Sequence, residues 1–339
     1  MKPDFLKSIE RLEPAAFTII MATGAFALAT KDLSSIFPSM LALARGLNIL
    51  NFSLFCFLLL FALFSWPFHS KEFRDDLLTP QNAAFYAALA IAFLVLGAQG
   101  LRFEMGYWFS LGLWATGCLL TLAVSFAINL HFFVRAAPAL NLFTPVFFIP
   151  VGGLTIIPVA GAIIMTQSSG LFYDILLMIN LMALGGGLLL YVGLFSLLLH
   201  RHYTTESLPH RLAPTLWIHL APIGWGGVSF VGLAESLGKM DAFARMVGGL
   251  FWGACCWWMV MCLILTCRAA YSGEMKFSLA YWAFIFPLGA IAVLSFRMGQ
   301  HMWPAFYFAW ALMACLWCVA AYGALKSSFL WIKRGGHTA

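Results

Sequence analysis

The sequence predicts an all-α integral membrane protein, with ten transmembrane helices paired into five hairpins about an axis. Three observations predict it. The 339 residues are 63% hydrophobic and 9% charged, with a mean hydropathy of +0.91, whereas a soluble domain is about 25% charged. Apolar runs of membrane-crossing length follow one another along the whole chain. A proline-marked unit also recurs at hairpin spacing. This composition excludes a soluble domain, a disordered chain and a nucleic-acid binder. The net charge of +6 is modest and reads as topology signalling.

In order, the runs cover residues 14–30, 43–65, 82–101, 107–133, 143–165, 171–199, 212–236, 242–267, 277–296 and 303–325. The first is the shortest and has the weakest claim to span. Only short polar segments separate them, so 1–339 reads as a single transmembrane domain. The odd runs open at Glu13-Pro14, Thr79-Pro80, Thr144-Pro145, Ala213-Pro214 and Phe277-Ser278, at intervals of 66, 65, 69 and 64 residues. Proline suits a helix start, where its missing N–H removes no helical bond. Each interval holds one hairpin, which points to five similar units.

Prolines inside runs separate the two classes. Pro150, Pro158, Pro222 and Pro287 lie within odd runs, whereas the even runs hold only Pro304, at a helix start. An interior proline frees a carbonyl, which a membrane tolerates only where neighbours or water satisfy it. Odd helices are therefore expected to line the interior and even helices to face lipid. The odd runs contain no Lys or Arg, and Glu235 is their only acid. A path lined by Phe, Trp, Thr, Ser and small residues binds an ion weakly and releases it. Helix N-termini would supply the positive potential.

Ten spans place both termini on one side. That side carries thirteen Lys and Arg, including Lys2, Lys7, Arg11, Arg135, Lys276 and Arg334, and the opposite side carries six. The excess places both termini in the cytoplasm of a plasma (inner) membrane protein. The N-terminal segment lacks a secretory cleavage pattern. The eight cysteines lie in or beside apolar runs, as small hydrophobes do. Cys315-Leu-Trp-Cys318 has metal-site spacing without partner ligands, so neither metal nor cofactor is expected.

Several segments resemble the tellurite-resistance/dicarboxylate transporter family, which includes TehA-like proteins, malic acid transport proteins, sulfite pumps and slow anion channels. Pro14-Ala-Ala-Phe-Thr-Ile-Ile-Met-Ala-Thr-Gly24 is similar to the family's opening segment, with Ala22 in place of a glycine. Phe143-Thr-Pro-Val-Phe-Phe-Ile-Pro150 leads to Pro158-Val-Ala-Gly161, like the family's fifth helix. Ala213-Pro-Thr and Leu220-Ala-Pro222 match its seventh. Trp282-Ala-Phe-Ile-Phe-Pro-Leu-Gly289 matches the signature of its ninth.

The resemblance implies a quasi-fivefold arrangement around a central pore, plugged by a phenylalanine of the ninth helix, and a homotrimer in which each protomer keeps its own pore. The plug falls on Phe286. Phe284 projects about 200° away on a regular helix, so the two do not share a face. Phe17, Gly24, Phe147, Pro150, Gly153, Pro158, Pro222, Gly226, Phe284, Pro287 and Gly289 are the candidate lining or kink positions. His219, an ionisable residue in mid-run, is a candidate charge or proton site; the alternative is a neutral ring bonded to a freed carbonyl.

The expected function is passage of small inorganic or organic anions across a lipid bilayer by a channel or facilitator. The alternative is a proton-coupled transporter of C4-dicarboxylates, sulfite or tellurite. An enzyme is not expected: a haem protein would need paired deep histidines, and only His219 lies deep. No G-x-x-x-x-G-K-[ST] motif is present for an ATP-driven pump.

Overall fold

A computed structural model describes residues 12–134, 140, 143–206, 208–275 and 277–333. Lys2, Lys7, Arg11, Arg135, Lys276 and Arg334 lie outside the described residues. Ten helical spans are long and apolar enough to cross a membrane. Their α-helices are α1 (Thr18–Ile36), α2 (Met40–Ser65), α3 (Pro80–Arg102), α4 (Tyr107–Val134) and α5 (Phe148–Met165). There follow α6 (Gly170–Thr204), α7 (Leu220–Ser236), α8 (Ala242–Tyr271), α9 (Ile285–Met298) and α10 (Trp303–Lys333). A short charged helix, Ser70–Leu78, joins the first two hairpins.

Four odd spans do not begin as α-helix. Pro14–Phe17, Pro145–Phe147, His210–His219 and Leu279–Phe284 are 3-10 segments that run directly into α1, α5, α7 and α9. Pro150, Pro222 and Pro287 are each the third residue of the α-helix that follows. This corrects the expectation of interior kinks there. A proline nitrogen cannot donate to the carbonyl four residues back, and its ring presses on that carbonyl. The α-ladder therefore restarts at the proline and the preceding residues tighten. Pro158 alone of the four sits in an α-helix interior.

The odd helices form a closed ring, α1 to α3 to α5 to α7 to α9 and back to α1. Each even helix packs on its hairpin partner and on the next odd helix around. Between 72 and 94% of the central residues in odd spans are buried, against 22 to 33% in even spans. The exposed side chains of even helices are large and apolar, among them Phe57, Leu119, Phe126, Leu189 and Leu250, as a lipid-facing surface requires.

Polar bonds tie the outer helices inward, where hydrocarbon offers no competing partner. Trp114 on α4 donates to the Ile157 carbonyl of α5 at 2.8 Å. Trp252 on α8 donates to Ser295 of α9 at 2.9 Å. Trp310 and Trp317 on α10 donate to Thr30 and Thr23 of α1 at 3.0 and 3.1 Å. Asn51 on α2 donates to Gln99 of α3 at 2.7 Å. Each bond joins an even helix to the next odd one, so the same lock recurs around the ring.

Close approach also fixes the ring. A Cβ on Gly289 would lie 2.6 Å from the Ala25 Cβ across the α9–α1 contact. At Gly152 the nearest atom is Pro222 Cγ, at 3.7 Å. Gly289→Val is therefore expected to lower stability by about 1–3 kcal/mol through overpacking, and Gly152→Ala to leave it within about 0.5 kcal/mol. Thermal unfolding of the two purified variants checks the contrast; equal losses would show that the α9–α1 approach is slack.

Candidate functional site

The 3-10 segments and the first turns of the odd helices surround a cavity of about 650 Å³. All five odd spans line it. Its polar end is made by Glu13, Thr18, Asp76, Asn82, Thr215 and Ser278. Going inward, its lining ends at Met21, Ile91, Gly152, Ala221 and the pair Phe286-Pro287. The vestibule therefore opens at the N-terminal ends of the ring helices and closes on an apolar level inside them.

That level follows from the proline register. Ile149, Ala221 and Phe286 each immediately precede the proline at the third α-position, and all three line the cavity. Equivalent places in three hairpins thus present a medium, a small and a large side chain to one axis. The Phe286 ring is 4% exposed and rests on Trp225 at a centroid distance of 5.2 Å. Phe284 does not line the cavity; it packs edge-on against Trp217 and Tyr281, at 5.4 and 5.6 Å. The two phenylalanines of the signature therefore occupy different environments.

The other candidates separate as follows. Pro287 lines the cavity. Pro222 backs it, against Gly152. Phe17 is fully buried against Phe55 and Trp66, and Phe147 packs on Phe132 and Phe143. Gly24 abuts Val95, Asn51 and Gln99, and Gly153 abuts Thr121 and Ile91, so both admit neighbouring helices. Gly226 faces Leu188 and Phe251 of the outer ring. Pro158 and Pro150 shape α5 from within the buried core.

Of the candidate positions only Phe286 and Pro287 line the cavity; the rest of its lining, Met21, Ile91 and Trp282 among it, was not singled out from the sequence. Gly152 faces the axis where its neighbour Gly153 does not, a distinction that needs the helix phase after the 3-10 segment. Trp282 lines the cavity, and its indole N–H is buried with no acceptor among the described residues.

His219 ends the 3-10 segment before α7 and is 1% exposed. Its ring sits among Phe148, Trp258 and Phe195, at 4.4, 5.1 and 5.7 Å. It does not line the cavity, and among the described residues neither ring nitrogen has a hydrogen-bond partner. The freed-carbonyl bond is thus not formed, and the ring is a member of an aromatic cluster. His219→Phe is expected to retain or raise thermal stability, because it removes two unpaired polar atoms. Anion flux through this variant between about pH 5 and 8 is expected to match wild type; loss of a wild-type pH dependence would return His219 to a role in permeation.

Comparison with known proteins places this geometry. The family model described as voltage-dependent anion channel, SLAC1, matches residues 11–326. An uncharacterized transporter of Methanocaldococcus jannaschii is 30% identical over 293 residues, covering 86% of this chain and 84% of that protein. A sulfite efflux pump of Trichophyton rubrum is 20% identical, covering 93% of this chain and 90% of the pump. An S-type anion channel of Arabidopsis thaliana is 28% identical over 116 residues, 34% of this chain and 20% of the channel. The matched span takes in all five ring helices, and the chain belongs to the SLAC1 family, a multi-pass membrane protein of anion transport.

Proposed function

We propose that the protein is an anion channel or facilitator whose path runs along the axis of the five odd helices and is closed at rest by the Phe286 ring. The observation that carries this reading is the cavity lined by all five odd spans, whose lining ends at Phe286. The ring both fills the path and dewets it. In the vestibule, helix N-termini present positive partial charge. Among the described lining residues there is no Lys or Arg, so an anion is attracted weakly and leaves readily.

Small inorganic and organic anions are the substrates in this reading, and the sulfite and S-type anion relatives support that class. The thirteen-to-six split of Lys and Arg supports cytoplasmic termini in the plasma membrane, which puts the vestibule on the cytoplasmic side. The reading includes a homotrimer, supported by the family resemblance and by the broad apolar outer surface. The action is transport and not catalysis.

A second reading is proton-coupled transport of C4-dicarboxylates, sulfite or tellurite on the same path. The carboxylates of Glu13 and Asp76 at the vestibule mouth favour it, since they are groups able to carry a proton. Anion flux into proteoliposomes with and without an imposed proton gradient separates the two. Uptake that accumulates only with the gradient would replace the channel reading.

The gate is tested by paired truncations. Phe286→Ala is expected to fold, because water can enter the vacated volume, and to raise anion flux at least about tenfold. Phe284→Ala is expected to lose about 3 kcal/mol as an ordinary core truncation, with no gain in flux. Flux and thermal unfolding of the same preparations provide the check. Conduction by Phe284→Ala alone would move the gate from Phe286 to Phe284.

A further inference from the structure

The opposite end of the ring is charged. The sequence reading stopped runs one, three and nine just before Lys31, Arg102 and Arg297, and so described the odd helices as free of Lys and Arg. In the structure α1, α3 and α9 continue through those residues. Asp32 on α1 is 2% exposed, and its Oδ1 takes Arg102 of α3; its Oδ2 has no partner. On the other side of the ring, Arg297 of α9 donates from Nη1 to Glu235 Oε2 of α7 at 3.1 Å.

Arg297 lies between ring helices. It belongs to α9 and bonds α7 through Glu235. A Cβ built on Gly232 of α7 would lie 3.0 Å from Arg297 Nη1 and 3.6 Å from the Ala162 Cβ of α5. The guanidinium therefore sits at the C-terminal end of the ring where α9, α7 and α5 approach one another, roughly 16 Å beyond Phe286 at 1.5 Å per residue.

The pair is unequal. The Arg297 side chain is 14% exposed, whereas that of Glu235 is 45% exposed. Glu235 therefore reaches water more readily than Arg297 does. Asp32, Arg102, Glu235 and Arg297 together are neutral, so departure of the Glu235 carboxylate leaves one uncompensated positive charge. A guanidinium fork suits a planar oxyanion, as it suits a carboxylate, and Gly232 with Ala162 limits the space to a small ion.

We propose that Arg297 is an anion-binding residue at the far mouth of the path, selective for small monovalent anions, and that Glu235 occupies its site as an internal stand-in until a permeating anion displaces it. The proposal rests on the reading of the ring axis as the anion path. It places a charged filter after an uncharged gate, with Asp32–Arg102 holding α1 and α3 together on the other side.

Nitrate is the probe. The purified full chain is titrated with sodium nitrate replacing sodium gluconate at constant sodium, and the thermal midpoint is followed. Glu235→Gln is expected to show a saturable rise, half-complete at a nitrate concentration at least fivefold below that of wild type. Glu235→Gln with Arg297→Gln is expected to show no nitrate response. If that double variant does not fold, Arg297→Lys replaces Arg297→Gln and is expected to weaken the response. A Glu235→Gln curve that superimposes on wild type overturns the proposal, as does a response that survives loss of the guanidinium. Nitrate flux through Phe286→Ala is measured in parallel. Flux without an Arg297-dependent response overturns the filter and leaves the gate; the response without flux overturns the gate and leaves the filter.

Discussion

Hydrocarbon solvates no backbone N–H or C=O, and the rest of this structure follows from where the chain breaks that rule. A transmembrane segment facing lipid must bond every peptide group within its own helix. The five even helices do so; each is regular α-helix across its span. Among the described residues, four odd spans open on a 3-10 segment and Pro158 interrupts one of them, whereas the 3-10 turns of even spans, Trp66–His69 and Gln300–Met302, lie at the ends of their α-helices. Irregular backbone inside a shield of regular helices gives the protein an axis with unusual geometry. The inward Trp, Asn and Thr bonds serve the same constraint, since a polar group on an outer helix has nowhere else to turn.

Electrostatics along that axis are uneven. The vestibule offers dipoles and hydroxyls, with carboxylates at its mouth. The middle is apolar. The far end holds two ion pairs bridging α1 to α3 and α7 to α9. A buried ion pair contributes little net stability but is costly to break by removing one partner. These pairs therefore define which helices move together: separating α7 from α9 exposes Arg297, and separating α1 from α3 exposes a buried Asp32.

Much of this was legible in the sequence, for identifiable reasons. Ten runs and a hairpin period follow from bilayer thickness, which any chain must match. The segregation of interior prolines named the enclosed helices. The 200° separation of Phe284 from Phe286 distinguished two residues that composition could not. The run ends were misplaced because hydropathy penalises each charge singly, whereas Asp32 and Arg102 meet across 70 positions and neutralise each other. The prolines were read as kinks because an α-helix was assumed upstream of them; a 3-10 start shifts the phase of every residue before the junction. That shift acts on His219, the last residue of its 3-10 segment, whose ring sits among Phe148, Phe195 and Trp258.

The proline register also explains how a ring of five helices acquires a one-sided apolar level. The junction places Ile149, Ala221 and Phe286 at one structural position in three hairpins. Were all three large, the level would be packed solid and removal of any one would leave a closed core. Were all three small, the level would be open. Here Ala221 and the nearby Gly152 leave room that a single ring fills, and Trp225 supports that ring from α7. Backbone symmetry thus sets the depth of the constriction, and the departure from symmetry in side-chain size assigns it to one residue.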